Sequence, residues 1–119
     1  MNNNSNTPVI GTGANVFGWS DIKAFTVVSV NAKGTVAVLQ RDTATLLNGV
    51  DSGEPDALKF FRGGFVGHIT GRQRYAYERD ANGEKVRVSL RKNGEWRVSG
   101  AHGARVEFGD RSEHYDFNF

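Results

Sequence analysis

The sequence predicts an all-β domain, folded as a small antiparallel barrel or sandwich. Three features predict it. Fifteen glycines and only two prolines punctuate short runs of Val, Thr, Phe and Tyr, the pattern of strands joined by turns. Most connections between these runs are two to five residues long, which favours sequential antiparallel pairing. No stretch holds a helical apolar period for more than one or two turns. A curled five-stranded sheet of the SH3-like or OB-like kind, or a small sandwich, closes such a set of strands. The first half reads as SH3-like: a short strand, a tight hairpin and a long irregular loop.

The 119 residues suit one domain, within the roughly 100–200 residues that one domain takes. Residues 1–8, MNNNSNTP, are Asn-rich and read as a disordered arm. A single all-β domain is expected over 9–119. Val16 to Trp19 is its first short apolar run, closed by Ser20-Asp21. Ala24 to Val30 is dense in β-branched residues, and Thr35 to Gln40 answers it across the turn Asn31-Ala32-Lys33-Gly34. The two runs read as a hairpin. Both are apolar at nearly every position, so both faces are expected to be covered, as in a curled barrel.

Arg41 to Asp56 is the least regular stretch. Thr43 to Leu47 fits a strand end or one helical turn, and residues 48–56 form a loop by composition. Ala57 to Arg62 and Phe65 to Ile69 flank Gly63-Gly64, a tight turn or bulge. Gln73 to Arg79, Lys85 to Arg91 and Glu95 to Val98 then alternate, joined at Asp80-Ala81-Asn82-Gly83 and Lys92-Asn93-Gly94. They read as a three-stranded meander with one apolar and one basic face. Arg105 to Phe108 and Glu113 to Phe119 add two short strands.

Composition narrows the function. There is no cysteine, so thiolate metal sites, disulfides and cysteine nucleophiles are excluded. No apolar run approaches the ~18 residues of a membrane span, and the N-terminus has neither the basic nor the apolar region of an export signal. A soluble, cytoplasmic domain is the expectation, with no membrane partner. His68, His102 and His114 stand in no metal-ligand spacing. No serine sits in a G-x-S-x-G elbow. Gly11, Gly13 and Gly18 do not form a dinucleotide fingerprint, and no helix follows them. We therefore expect a protein that is not an enzyme, with no catalytic residues, no metal site and no cofactor.

Charge is unevenly spread. Residues 1–58 hold three basic and five acidic residues, and 59–119 hold twelve basic and eight acidic. Arg72, Arg74, Arg79, Lys85, Arg87, Arg91, Lys92 and Arg97 crowd the expected meander. Arginine is the better bidentate partner for phosphate, and Tyr75, Tyr77 and Trp96 sit among these residues as rings able to stack on bases. The plain structural alternative is a solvated face of cross-strand Arg–Glu pairs. Trp19-Ser20-Asp21 is a second candidate: a core anchor with a turn behind it, or a ring and a carboxylate that, with Asp42, accept from a base edge or a ribose. The terminal Tyr115-Asp116-Phe117-Asn118-Phe119 alternates aromatic and polar. It reads as a final strand, or as an edge that pairs with a second copy in a homo-oligomer.

Taken together, several segments resemble a group of small phage and prophage proteins with no assigned activity. They are Trp19-Ser20-Asp21, the AFTVVSV and VAVLQ hairpin, and Arg41-Asp42-x-Ala44. They continue with Tyr75-x-Tyr77-Glu78-x-Asp80-x-x-Gly83, Leu90-Arg91-Lys92-Asn93-Gly94-x-Trp96 and Gly109-x-Arg111-x-x-x-Tyr115-Asp116-Phe117-x-Phe119. The resemblance covers most of the chain from about residue 13 and implies a viral or mobile-element origin. It carries no catalytic residues. The leading expectation is a phage accessory protein that blunts a bacterial defence system by binding a nucleotide signal, another phosphate-bearing ligand or a host defence protein. The expected ligand-binding residues are Arg74, Tyr75, Tyr77, Arg87, Arg91, Trp19 and Asp21. The alternative is an SH3-like nucleic-acid-binding or adaptor module in phage DNA or RNA metabolism. A third is a structural component that self-assembles through its last strand.

Overall fold

Alternation of apolar and polar side chains decides which side of each strand turns inward. The computed structural model describes residues 7–18, 21–63, 66–100 and 103–115, with backbone alone for 61–63 and 66–70. Ten strands follow in chain order: β1 (Gly13–Phe17), β2 (Ile22–Val30), β3 (Val36–Arg41), β4 (Thr43–Leu46), β5 (Lys59–Gly63), β6 (Val66–Thr70), β7 (Tyr75–Glu78), β8 (Lys85–Leu90), β9 (Trp96–Val98) and β10 (Arg105–Phe108).

Six of them close a barrel in the order β1-β10-β9-β8-β3-β2, with every pair antiparallel. The barrel forms rather than the sandwich. It has six strands rather than five, because β1 closes against β10 as well as β2. Neighbours follow chain order all the way round, apart from an insertion between β3 and β8. The interior holds Ala14, Phe25, Val27, Ala37, Leu39, Val88, Trp96, Val106 and Phe108. A barrel this narrow is filled by side chains, and small residues make room for large ones. Ala14 stands between Phe25 on β2 and Phe108 on β10 in the strand register. A bulge between Val27 and Ser29 shifts the phase of β2, so that Val30 still packs against the core beside Ala37.

The hairpin expected over 24–30 and 35–40 is β2 and β3. The Thr43 to Leu47 stretch is a strand, β4, and not a helical turn. The Gly63-Gly64 break lies between β5 and β6, which pair as a hairpin. Gly64 itself lies outside the described residues, as do residues 1–6 of the expected N-terminal arm. Of the last strand, His114 bridges to Ile22, and residues 116–119 lie outside the described part.

The basic meander exists, but its strands are β8, β9 and β10. The 75–78 strand, expected as its first, pairs instead with β4, placing Tyr75 opposite Leu46 and Tyr77 opposite Ala44. The reason is edge occupancy: β8 already has β3 on one side and β9 on the other. The turn at Asp80–Gly83 does form, with the Gly83 N–H donating to the Asp80 carbonyl at 3.0 Å. It connects β7 to the barrel rather than folding β7 onto it. Trp96, expected among the stacking rings, is a core residue at 2% exposure. Its indole meets Phe108 edge-on, with centroids 5.2 Å apart at 88°.

Between β3 and β8 the chain leaves the wall as an arm: β4 and β7 form its base, and the β5–β6 hairpin is nested within it. The molecule is accordingly elongated, 52 × 34 × 27 Å. Its radius of gyration is 16.4 Å, against about 13.5 Å for a compact domain of this length. Asn48, wholly buried, organises the arm's loop. Its Nδ2 donates to the carbonyls of Asp56 and Arg72 at 2.9 and 2.7 Å, and its Oδ1 accepts from the Arg74 N–H at 2.9 Å. The two ends of the arm meet where the Arg41 N–H donates to the Glu84 carbonyl at 2.8 Å. Gly83 makes this approach possible, because a Cβ there would lie 2.2 Å from the Arg41 carbonyl oxygen. Gly83→Ala is expected to destabilise the protein by about 1–3 kcal/mol through overpacking. Urea unfolding would measure it, and an unchanged midpoint would refute the close-approach argument.

Candidate functional site

The site forms where β3 departs from β2. Beyond Arg41, β3 turns into the arm, and the first residues of β2 lose a neighbour. The segment after β10 takes the vacated place. The Ile22 and His114 backbones exchange hydrogen bonds of 2.8 and 2.9 Å, and the Ala24 N–H donates to Glu113 Oε1 at 2.7 Å. Asn15 fixes the same segment from β1: its Nδ2 donates to the Asp110 carbonyl and its Oδ1 accepts from the Ser112 N–H, both at 2.8 Å. The segment then reaches the arm. The Glu113 N–H donates to the Tyr77 hydroxyl at 2.7 Å. Gln73 pairs with the Tyr115 backbone through both ends of its amide, at 2.5 and 2.9 Å. Residues 110–115 thus staple β7 to the barrel wall.

Two buried ion pairs hold this seam. Arg41 grips Glu113 with bonds of 2.8 and 2.7 Å, and the Tyr115 hydroxyl also donates to Glu113. The Glu113 side chain has no exposed surface. Burial alone would raise its carboxyl, but Arg41, Tyr115 and the Ala24 N–H more than reverse this and hold it below the usual carboxylate range. Burial would lower Arg41, yet Glu113 carries it above the ordinary guanidinium value. In the second pair Arg111 Nε donates to Asp42 at 2.5 Å and its Nη2 to Thr26 Oγ1 at 2.6 Å, while Thr26 donates to Asp42 at 2.6 Å. Gly13 leaves room for Arg111: a Cβ there would lie 2.9 Å from Arg111 Cγ and 2.5 Å from the Gly109 carbonyl oxygen.

Over this seam lies a cleft of about 550 Å³, lined by Tyr75, Tyr77, Arg72, Arg74, Arg111 and neighbours from the two segments. A second hollow of about 570 Å³, formed with Thr12, Gly13, Gly109 and Asp110, shares Tyr77 and Arg111 with it. The rings of Tyr75 and Tyr77 are 6.3 Å apart and tilted by 35°, and Tyr115 meets Tyr75 edge-on at 6.1 Å. Burial, then the nearby Glu113 charge, pushes the Tyr75 hydroxyl up. Burial likewise raises Tyr77. Both therefore stay neutral at physiological pH and serve as rings and hydrogen-bond partners, not as anions. Arg74 is bound by Asp56 and Glu54 at 2.8 and 2.9 Å. Asp56 is held below its usual range by that guanidinium. Arg72 makes no ion pair among the described residues.

The expected site residues therefore divide. Arg74, Tyr75 and Tyr77 come together at the cleft, with Asp21 close enough to Tyr75 to raise its hydroxyl further. Arg87 and Arg91 belong instead to the β8–β9 side of the barrel, across from the β1–β2 wall that the terminal segment covers. Trp19 lies outside the described residues. Asp42, considered as an acceptor for a base or ribose, is 4% exposed and already accepts from Thr26 and Arg111. Sequence reasoning missed Gln73, Arg111 and Glu113 as site-builders. Buried ions carry no local pattern that separates them from surface charges. The one signal was the density of polar residues after β10, where an ordinary turn needs fewer.

Chemically, the cleft offers aromatic surface to a planar ring and guanidinium donors to an anion. Among the described residues, no three His, Asp or Glu side chains gather as a metal site would, and no helix is long and apolar enough to cross a membrane. Compared with family models, with curated proteins and with solved structures, the chain shows no match.

Proposed function

We propose that this chain is a non-catalytic binding protein that holds a nucleotide, or a similar phosphate-bearing ring compound, in the Tyr75–Tyr77 cleft. One observation carries the reading: two neutral tyrosine rings and the guanidinium groups of Arg72 and Arg111 line the same hollow. Rings of this kind stack on bases, and arginine matches phosphate geometry. Arg72 is the leading phosphate partner, since it makes no ion pair among the described residues, whereas Arg74 would have to exchange two carboxylates for a phosphate. Arg111, held in place by Asp42 and Thr26 through Nε and Nη2, has Nη1 to offer an anion. We further propose, on the sequence resemblance alone, that the chain is a phage accessory protein whose sequestering of such a ligand blunts a bacterial defence signal.

The test is native mass spectrometry of the protein purified from bacteria, followed by heat release of whatever is bound. We expect a small nucleotide-containing ligand. Arg72→Gln is expected to weaken its rebinding roughly tenfold to a hundredfold, the effect of losing one charge-assisted hydrogen bond. Tyr75→Leu is expected to weaken it as well. A clean apo mass, with no thermal shift across a panel of nucleotides, would overturn the reading.

A further inference from the structure

We infer a second binding surface, separate from the cleft: the outer wall of β8, β9 and β10 takes the phosphodiester backbone of nucleic acid. Strand register sets the charges in place. On β8, Lys85 and Arg87 alternate with the core residues Val86 and Val88 and so face outward. Ser89 lies opposite Arg97, and Arg97 opposite Arg105, so one row crosses all three strands. Neighbouring strands are about 4.8 Å apart, and the row brings Arg97 and Arg105 side by side. Arg105 is stacked on Phe17, the next residue of the row, at 4.2 Å.

The guanidinium groups here are positioned rather than loose. Arg91 runs from the β8–β9 turn toward the end of β9 and donates to the carbonyls of Val98 and Gly100 at 3.2 and 3.3 Å. Arg97 donates to the Gly103 carbonyl at 3.1 Å. Arg91 Nε is the one buried side-chain polar atom without a hydrogen-bond partner among the described residues. An unpaired buried donor carries a desolvation cost.

Charge on this wall is uneven. Lys85, Arg87, Arg91, Lys92, Arg97 and Arg105 outnumber three carboxylates, Glu84, Glu95 and Glu107. Glu95 and Glu107 pair with Arg97 and Arg105, each two residues away along the chain, and exposed pairs of this kind are weak and exchange readily. Lys85 and Arg87 have no ion-pair partner among the described residues. The wall is convex and its cations span three strands. A single phosphate reaches one or two of them, whereas a polymer with regular phosphates meets them together. Phe17 is covered by Arg105, so the wall offers no free ring for a base, and recognition is of backbone rather than sequence. The β8–β9 part of this surface lies across the barrel from the β1–β2 wall, and its case does not depend on the cleft's ligand.

Fluorescence anisotropy with labelled single-stranded DNA of about 10 and about 30 nucleotides, over a salt series, tests it. We expect affinity to rise with length and to fall steeply with salt. The log–log slope should be roughly −0.7 for each phosphate neutralised. Lys85→Gln with Arg87→Gln should flatten that slope by about 1.4, two phosphates' worth, while Arg72→Gln leaves it unchanged. Arg105→Gln, on another strand, is the second variant, and a thermal melt confirms that each remains folded. No binding at low salt, binding independent of length, or an unchanged slope in both wall variants would each overturn the proposal. So would preferential binding to vesicles containing anionic lipid.

Discussion

Glu113→Ala is expected to destabilise the protein by about 3–5 kcal/mol, the range for removing one partner of a buried pair. The substitution leaves Arg41 partly buried without its counter-ion. It also strips the acceptor from the Ala24 N–H and the partner from the Tyr115 hydroxyl. The thermal midpoint should fall by about 10 °C or more. Replacing both partners, Arg41→Met with Glu113→Leu, should lose less than the single change, because no uncompensated charge remains. A single variant that melts like the wild type would show that the seam contributes nothing. The same carboxylate gives stability a pH dependence with a definite sign. Its folded-state pKa lies below the unfolded value near 4.5. Its contribution is therefore fully present above about pH 4.5 and is lost as pH falls through the lower folded value. The acid limb of the stability curve should accordingly flatten in Glu113→Ala, as followed by urea midpoints between pH 3 and 6, about the span over which such a carboxyl titrates.

Trp96→Ala is expected to be comparably severe, about 3–5 kcal/mol. The indole is buried in the core of the six-stranded barrel and contacts Phe108 edge-on. The surrounding wall is closed by hydrogen bonds on every side, so it collapses poorly into the void. Trp96→Phe should recover much of the loss. Denaturant unfolding measures both, and equal stability of the Ala variant would move the core elsewhere. The two changes are distinguishable by hydrogen exchange. Glu113→Ala should first expose the amides of Ile22 and Ala24, whereas Trp96→Ala should loosen β8, β9 and β10.

The hairpin of β2 and β3 was legible because a dense β-branched run meets its partner across a short glycine turn. Trp96 was also legible, and misread: its spacing to Val98, across from Val88, is the period-2 signature of an inward face. The arm was not legible. Tyr75 and Tyr77 present an apolar face that suits Val86 and Val88 as well as it suits Ala44 and Leu46. The choice is made by which edges the barrel leaves open, a long-range fact. At the site, the tyrosines and Arg74 could be named from alternation and charge. Arg41, Asp42, Arg111 and Glu113 could not be paired, because their separations of 69 and 72 positions leave no periodic trace.

The nested pairing of the arm bears on how the chain folds. Arg41 and Glu84 are 43 positions apart, yet they hydrogen-bond across the arm's root. Closing a free loop of that length at once carries the full entropic toll of ring closure. The β5–β6 hairpin instead brings residues 59 and 70 together, and the β4–β7 ladder then joins residues 43 and 78. Each closure shortens the ring left for the next, as a zipper does. In that order of closure, the ends of β3 and β8 stand side by side before they pair. The nested pairing of the arm that carries the cleft's tyrosines thus also lowers the entropic cost of closing the barrel.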